Sequence, residues 1–230
     1  MATGTTVPAT VPTSVRVLAV DVDRFRRSRA GLVRLLRETR PDVALLHRVP
    51  THPFSGHRVG GLASDVGLVV AVSGRDSAGA AVLTSLRLSP DGTEALAGPG
   101  GGMALATLRL TDGRRLRAAT VTTRGGDADQ AGVAAHLLAL LGPPDDVPTV
   151  VAGDLPGTAG GDALARRLDD LTPGAAPTAP AGTPRTRPRG LLGHAATVRQ
   201  VALPGAIGAR PDLLGKVVAE RPVVVDLLLS

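Results

Sequence analysis

Cysteine, tryptophan and tyrosine are absent from the 230 residues, phenylalanine occurs only as Phe25 and Phe54, and Lys216 is the single lysine. Without cysteine there are no disulfides, thiolate nucleophiles or cysteine-ligated zinc sites, and a reducing, cytoplasmic setting fits. The scarcity of rings argues against a platform on which successive bases of a single strand could stack. It also leaves the core to Val, Leu and Ala. No apolar stretch approaches the roughly 20 residues that a membrane helix requires, so a soluble protein with no membrane partner is expected. Residues 1–14, rich in Thr, Pro and Ala, have neither the basic start nor the apolar centre of a secretory signal. They read as a disordered tail ahead of a single domain, 15–230.

What is present is 43% hydrophobic content, enough for one sizeable core in a chain of this length. The net charge of +6 is carried almost wholly by arginine, and Arg, Ala, Gly and Pro together are the residues a GC-rich genome favours. Arginines scattered over solvated faces are the plainer reading, and a dedicated phosphate-binding stripe the sharper one.

Val15–Val20 reads as a strand. Arg24–Thr39 follows as a helix with Ala30, Val33, Leu36, Leu32 and Leu35 on its apolar side, ended by Pro41. Val43–Leu46 is a second strand, and a loop with Pro50, Pro53 and Gly56 leads to strands at 67–72 and 80–88. Asp112-Gly113 turns a hairpin between Met103–Leu110 and Leu116–Thr122. The glycines of 98–102 read as another hairpin loop. Ala131–Leu141 is a helix with Val133, Leu137, Leu138 and Leu141 on one side. The strand 147–152 and a short helix at 161–171 come next. Residues 172–193 lack periodicity and read as a long surface loop, before strands at 197–203 and 223–229.

The most informative segment is 147–158, where an apolar β run ends in Gly153-Asp154. A strand that stops there delivers a carboxylate to the rim of a sheet, where a metal-using hydrolase would want one. Two residues on, where a phosphodiesterase would carry a phosphate-gripping amide, stands Pro156.

The order of elements and several motifs resemble the endonuclease/exonuclease/phosphatase superfamily of metal-dependent phosphoesterases. The residues that carry the resemblance are Val15-Arg-Val-Leu-Ala-Val-Asp21, Pro41-Asp-Val-Ala-Leu-Leu-His-Arg-Val49, Gly79-Ala-Ala-Val-Leu-Thr-Ser-Leu86, Gly153-Asp-Leu-Pro156 and Val218-Ala-Glu-Arg-Pro-Val223. It spans nearly all of the chain from Val15 to Leu229. It implies an α/β fold, a four-layer α/β/β/α sandwich of two mixed β-sheets flanked by helices.

The resemblance also implies site positions, and most carry other residues. Asp21 stands where the family has a phosphate-binding Asn. The metal-binding Glu falls on His47 or Arg48. The phosphate-donating His falls near Thr122 and Thr123, and of an Asp and Asn pair only Asp154 remains. The terminal Asp and His, which form the general base, fall on Ala219 and Glu220. Losing several proton-transfer and phosphate-donor groups, each typically worth about 10²- to 10⁴-fold, removes most of the rate.

The first reading is therefore an impaired or inactive phosphoesterase-like domain that binds a phosphorylated ligand or a protein partner. The second is an active phosphodiesterase with a rebuilt site. Its catalytic residues would be Asp154 and Glu220, its substrate contacts Asp21, Thr122 and Thr123, and its metal ligands His47 and Asp154 with Asp21 nearby. Two carboxylates and an imidazole suit Mn²⁺ or Zn²⁺ more than Mg²⁺, and the alternative is no metal at all. The third is an arginine-mediated nucleic-acid binder that does not cleave. Each residue also has a plainer role: His47 a core ring bonded to a carbonyl, Asp21 a cap on the turn that follows it, Asp154 an Asx turn. Convergence of Asp21, Asp154 and His47 would favour metal; Arg48 filling that space would not.

Overall fold

The computed structural model describes residues 13–124, 127–143, 145–154, 164, 166–170, 189–194, 197–200, 216–218 and 222–229. Two six-stranded mixed sheets face one another. The first, in spatial order, comprises β11 (Thr197–Gln200), β12 (Val223–Leu229), β1 (Thr13–Asp21), β2 (Val43–His47), β4 (Ala81–Thr84) and β3 (Val69–Ser73). The second comprises β5 (Leu88–Gly98), β6 (Gly101–Leu110), β7 (Arg115–Thr123), β8 (Thr149–Asp154), β10 (Arg189–His194) and β9 (Asp169–Asp170). Helices α1 (Arg29–Thr39) and α2 (Ser55–Val66) cover the first sheet, and α3 (Asp127–Leu141) the second.

Strand alternation sorts the apolar residues into layers. Val15, Val17 and Ala19 of β1, Val43 and Leu45 of β2, Leu116 and Ala118 of β7, and Val150 and Ala152 of β8 form the layer between the sheets. Leu18, Val20, Ala44 and Leu46 face the other way, against Leu32, Leu35 and Leu36 of α1 and Leu62 of α2. Val121 and Val151 meet Val133 and Leu137 of α3. The expected four-layer α/β/β/α sandwich is the one observed.

Several boundaries differ from expectation, each for a local reason. Thr13 and Ser14, inside the stretch read as tail, belong to β1 and pair with Leu229 and Leu228. The helix expected from Arg24 begins at Arg29, where the Ser28 hydroxyl accepts from the Gly31 N–H at 3.1 Å and caps it. Ala30 is accordingly exposed, and the buried face is Leu32, Leu35, Leu36 and Thr39. Helix α2 was not expected: Gly56, Gly60 and Gly61 dilute its pattern, yet Ser55, Val59, Leu62 and Ala63 are buried at helical spacing. β5 was hidden by Pro90, Asp91 and Gly92, which the sheet absorbs at its edge with a bulge between Pro90 and Gly92. Arg189–His194 is a strand paired with β8, so the loop expected to run to Gly193 ends sooner. The remainder of that loop, most of the helix expected at 161–171, and residues 201–203 lie outside the described residues.

Candidate active-site rim

The layer between the sheets turns polar at one end. The series 15, 17, 19 on β1 continues to Asp21, the series 43, 45 on β2 continues to His47, and 116, 118 on β7 continues to Thr120 and Thr122. All four are buried. Parallel pairing of β1 with β2 sets Asp21 beside His47. β7 and β8 contact β2 across the sandwich, so Thr122 comes to the same rim. Asp154 closes β8 one step beyond the Val121–Gly153 pair, beside Thr122. Alternation plus register therefore gathers residues that lie far apart in the chain.

Asp21 is 2% exposed, and Arg48 holds it. The Arg48 Nε donates to Asp21 Oδ1 at 2.8 Å, and a terminal nitrogen lies 2.5 Å from Oδ2, a fork-on-carboxylate arrangement. The Asp23 N–H also donates to Asp21 Oδ1, at 2.8 Å, so Asp21 does cap the turn that follows it. His47 Nε2 stands 3.9 Å from Asp21 Oδ2.

The backbone that makes this arrangement is strained. Arg48 has φ +56°, and Asp23, Arg24 and Phe25 have φ of +43°, +55° and +57°. The left-handed region costs non-glycine residues about 1–2 kcal/mol each, so neighbours must enforce it. They do: the Arg24 N–H donates to the Arg48 carbonyl at 2.7 Å, Val22 N–H to the His47 carbonyl at 3.1 Å, and Phe25 N–H to the Val22 carbonyl at 2.7 Å. Across the sandwich, Arg48 N–H donates to the Thr122 hydroxyl at 3.3 Å, and that hydroxyl donates to the Gly79 carbonyl at 3.3 Å. Arg48 thus ties the first sheet to the second as well as β2 to β1.

The divalent-metal set fits poorly. Both oxygens of Asp21 face a guanidinium, so a cation entering there must displace a fixed positive charge and then tolerate its neighbourhood. Among the described residues no group of three His, Asp or Glu side chains is placed to hold a metal ion. Thr122 uses its hydroxyl to join the two sheets, and Thr123 is half-buried at the end of β7. The Asp154 backbone is at the rim, while its side chain and all of Glu220 lie outside the described residues. His52 and His57 are exposed on the segment after β2, and His136 is exposed on α3.

From the sequence, Arg48 stands either at the replaced metal-binding Glu position or as the residue that would fill the metal space, and what surrounds it is not legible there. Arg24 is exposed beside the Asp21–Arg48 pair, and Arg124 is exposed where β7 ends, its guanidinium donating to the Ala78 carbonyl at 3.0 Å. A basic residue at the end of each of two site strands was the available signal. Arg24 and Arg124 add two guanidinium groups to a rim that also carries Asp23, paired with Arg27 and 3.7 Å from Arg48.

Two facing sheets flanked by helices, with Asp21, His47, Thr120 and Thr122 gathered at one end of the layer between them, make a layered α/β sandwich. No family model and no curated protein sequence matches the chain. Solved structures do. The human Nocturnin catalytic domain with bound sulfate anion is 14% identical at TM-score 0.70, over 94% of this chain and 95% of that one. An endonuclease/exonuclease/phosphatase family protein from Bacteroides thetaiotaomicron is 12% identical at TM-score 0.68, over 95% and 99%. TDP2 from D. rerio, complexed with single strand DNA product, is 12% identical at TM-score 0.59, over 94% and 98%. The chain has the endonuclease/exonuclease/phosphatase fold.

Proposed function

We propose that this protein is a catalytically impaired phosphoesterase-fold domain that binds a phosphorylated ligand at the rim without a metal ion. The observation that carries the reading is the Asp21–Arg48 pair: the carboxylate best placed to hold a cation already holds one, supplied by the chain. Arg24 and Arg124 then offer guanidinium groups to an anion entering between the strand ends. The similar folds include one with bound sulfate and one with a DNA product, which makes a phosphate group the natural occupant. Water activation needs a positioned base and a stabilised leaving group, and the positions that supply them in the family carry Ala219, Glu220, Thr122 and Thr123 here.

The test pairs turnover with binding. Purified protein is incubated with bis(p-nitrophenyl) phosphate, p-nitrophenyl phosphate and a labelled single-stranded oligonucleotide, each with Mg²⁺, Mn²⁺ or EDTA. No turnover, together with salt-sensitive binding of nucleotides or oligonucleotide that EDTA leaves intact and that Arg24→Ala with Arg124→Ala weakens, is expected. Metal-dependent hydrolysis abolished by Asp154→Ala would instead establish the rebuilt enzyme.

A further inference from the structure

The outer face of α1 forms a groove with the carboxyl end of α2, remote from the strand-end rim in its lining and independent of the reading above. It is open to solvent, has a volume of about 910 Å³ and is lined by Ala30, Val33, Arg29, Arg34, Arg37 and Arg40, with Glu38 and Asp65 among them. Ala30, Val33, Arg34 and Arg37 follow one another at the helical i, i+3, i+4, i+7 spacing, opposite the buried stripe of Leu32, Leu35 and Leu36. Ala30 thus sits on the outer side of α1, while Val33 beside it packs in part against the core cluster beneath that helix. Ala30 is exposed and Val33 half-buried.

The charges around the strip are unbalanced in a specific way. Arg29 pairs with Asp65 at 2.8 Å, an exposed pair that exchanges partners at little cost, and Arg34 with the half-buried Glu38 at 2.7 Å. Arg37 donates to the Asp65 carbonyl at 2.6 and 3.0 Å, a contact that positions its guanidinium without neutralising it. Arg40, which ends the helix at φ +48°, makes no ion pair among the described residues. Two cations without an ion pair among the described residues thus stand three residues apart in the groove's lining, near Ala30 and Val33.

We infer that this groove is a docking surface for an acidic, apolar-tipped segment of a protein partner. The carboxylates of such a segment meet Arg37 and Arg40, and its apolar side chain rests on Ala30 and Val33. A nucleic acid fits less well. Glu38 and Asp65 would face its phosphates, and no aromatic ring lines the groove to take a base.

The probe is a short fluorescein-labelled peptide rich in Glu and Leu, titrated with the full-length protein and followed by anisotropy. Saturable binding that falls with salt is expected. Arg37→Glu combined with Arg40→Glu should weaken it by about tenfold or more, because like charges then oppose across the contact. Ala30→Glu, at an exposed position that folding does not depend on, should do the same, whereas Arg109→Glu on the second sheet should leave binding unchanged. Replacing Leu by Ser in the peptide should also weaken it. Absence of saturable binding, equal binding by the groove variants, or preferential binding of a single-stranded oligonucleotide that the same variants abolish would each overturn the inference.

Discussion

The Arg48 guanidinium lies across both carboxylate oxygens of Asp21, 2.8 Å from one and 2.5 Å from the other, at the junction of the two sheets. Asp21 is 2% exposed, and the Arg48 guanidinium and the Asp23 N–H are both held against its carboxylate. Everything else at the rim is arranged around that pair.

Removing one member should cost far more than removing both. Arg48→Met leaves a buried carboxylate uncompensated and is expected to destabilise by about 3–5 kcal/mol. Combining it with Asp21→Asn, which keeps an oxygen to accept from the Asp23 N–H, should recover a large part of that loss. Urea unfolding of the two single variants and the double variant measures the coupling; additive losses would show that the pair contributes nothing as a unit.

Reversing the charge at the rim should create what the wild-type rim lacks. Arg48→Glu sets a second carboxylate beside Asp21 and His47, a donor set for Mn²⁺. The variant should be less stable than wild type in EDTA and gain stability with added Mn²⁺, by about 2.7 kcal/mol at 100 times the Kd. Wild type should show no such shift. A thermal melt series with and without Mn²⁺ decides it, and an equal gain by both proteins would contradict the role given to Arg48.

The far end of the sandwich should be acid-sensitive. Side-chain and backbone hydrogen bonds from Arg114 hold the Asp112 carboxyl well below its ordinary range, and a side-chain hydrogen bond from Arg117 holds Asp145 below it too. Arg114 also reaches Thr13 and the Leu229 carbonyl, so the Asp112 turn ties the β6–β7 hairpin to β1 and β12. A folded-state pKa below the unfolded one gives stability that is complete above the unfolded value, about 3.9, and is lost as pH falls toward the folded value. Melting temperature should therefore drop as pH falls below about 4, and Asp112→Asn should flatten part of that slope. Asp112 is exposed and Asp145 half-buried, both within reach of solvent, so the effect is modest and smaller in high salt.

Two classes of glycine should respond in opposite directions. Gly153 has φ +118°, and a Cβ there would meet the Val121 carbonyl oxygen at 2.0 Å. Gly153→Ala should cost about 1–3 kcal/mol from the backbone conformation alone, with further loss from pushing β8 away from β7. Gly60, inside α2 with nothing within 4 Å of a Cβ position, should become Ala with a gain of about 0.5–1 kcal/mol. Chemical denaturation of the two variants checks both signs.

Legibility followed local regularity. β12 was legible at Val223–Leu229 because three valines and three leucines flank the single Asp226, and the β6–β7 hairpin because Asp112-Gly113 admits few other conformations. α2 and β5 were missed because glycine and proline weaken propensity where tertiary burial or an edge position supplies the stability instead.

For the rim, the residue series 15-17-19-21, 43-45-47 and 116-118-120-122 is a sequence property, so which side chains line the space between the sheets follows from period-two alternation alone. Which of them engage one another does not. His47 and Arg48 are neighbours on a strand that would send them to opposite faces, and it is the positive φ at Arg48, held by Arg24 and Thr122 from elsewhere in the chain, that turns the guanidinium onto Asp21. Amino-acid order determined the layers and the polar end of the sandwich. Only long-range hydrogen bonding, which overrides a local conformational cost, decided that the carboxylate at its rim should be held by an arginine.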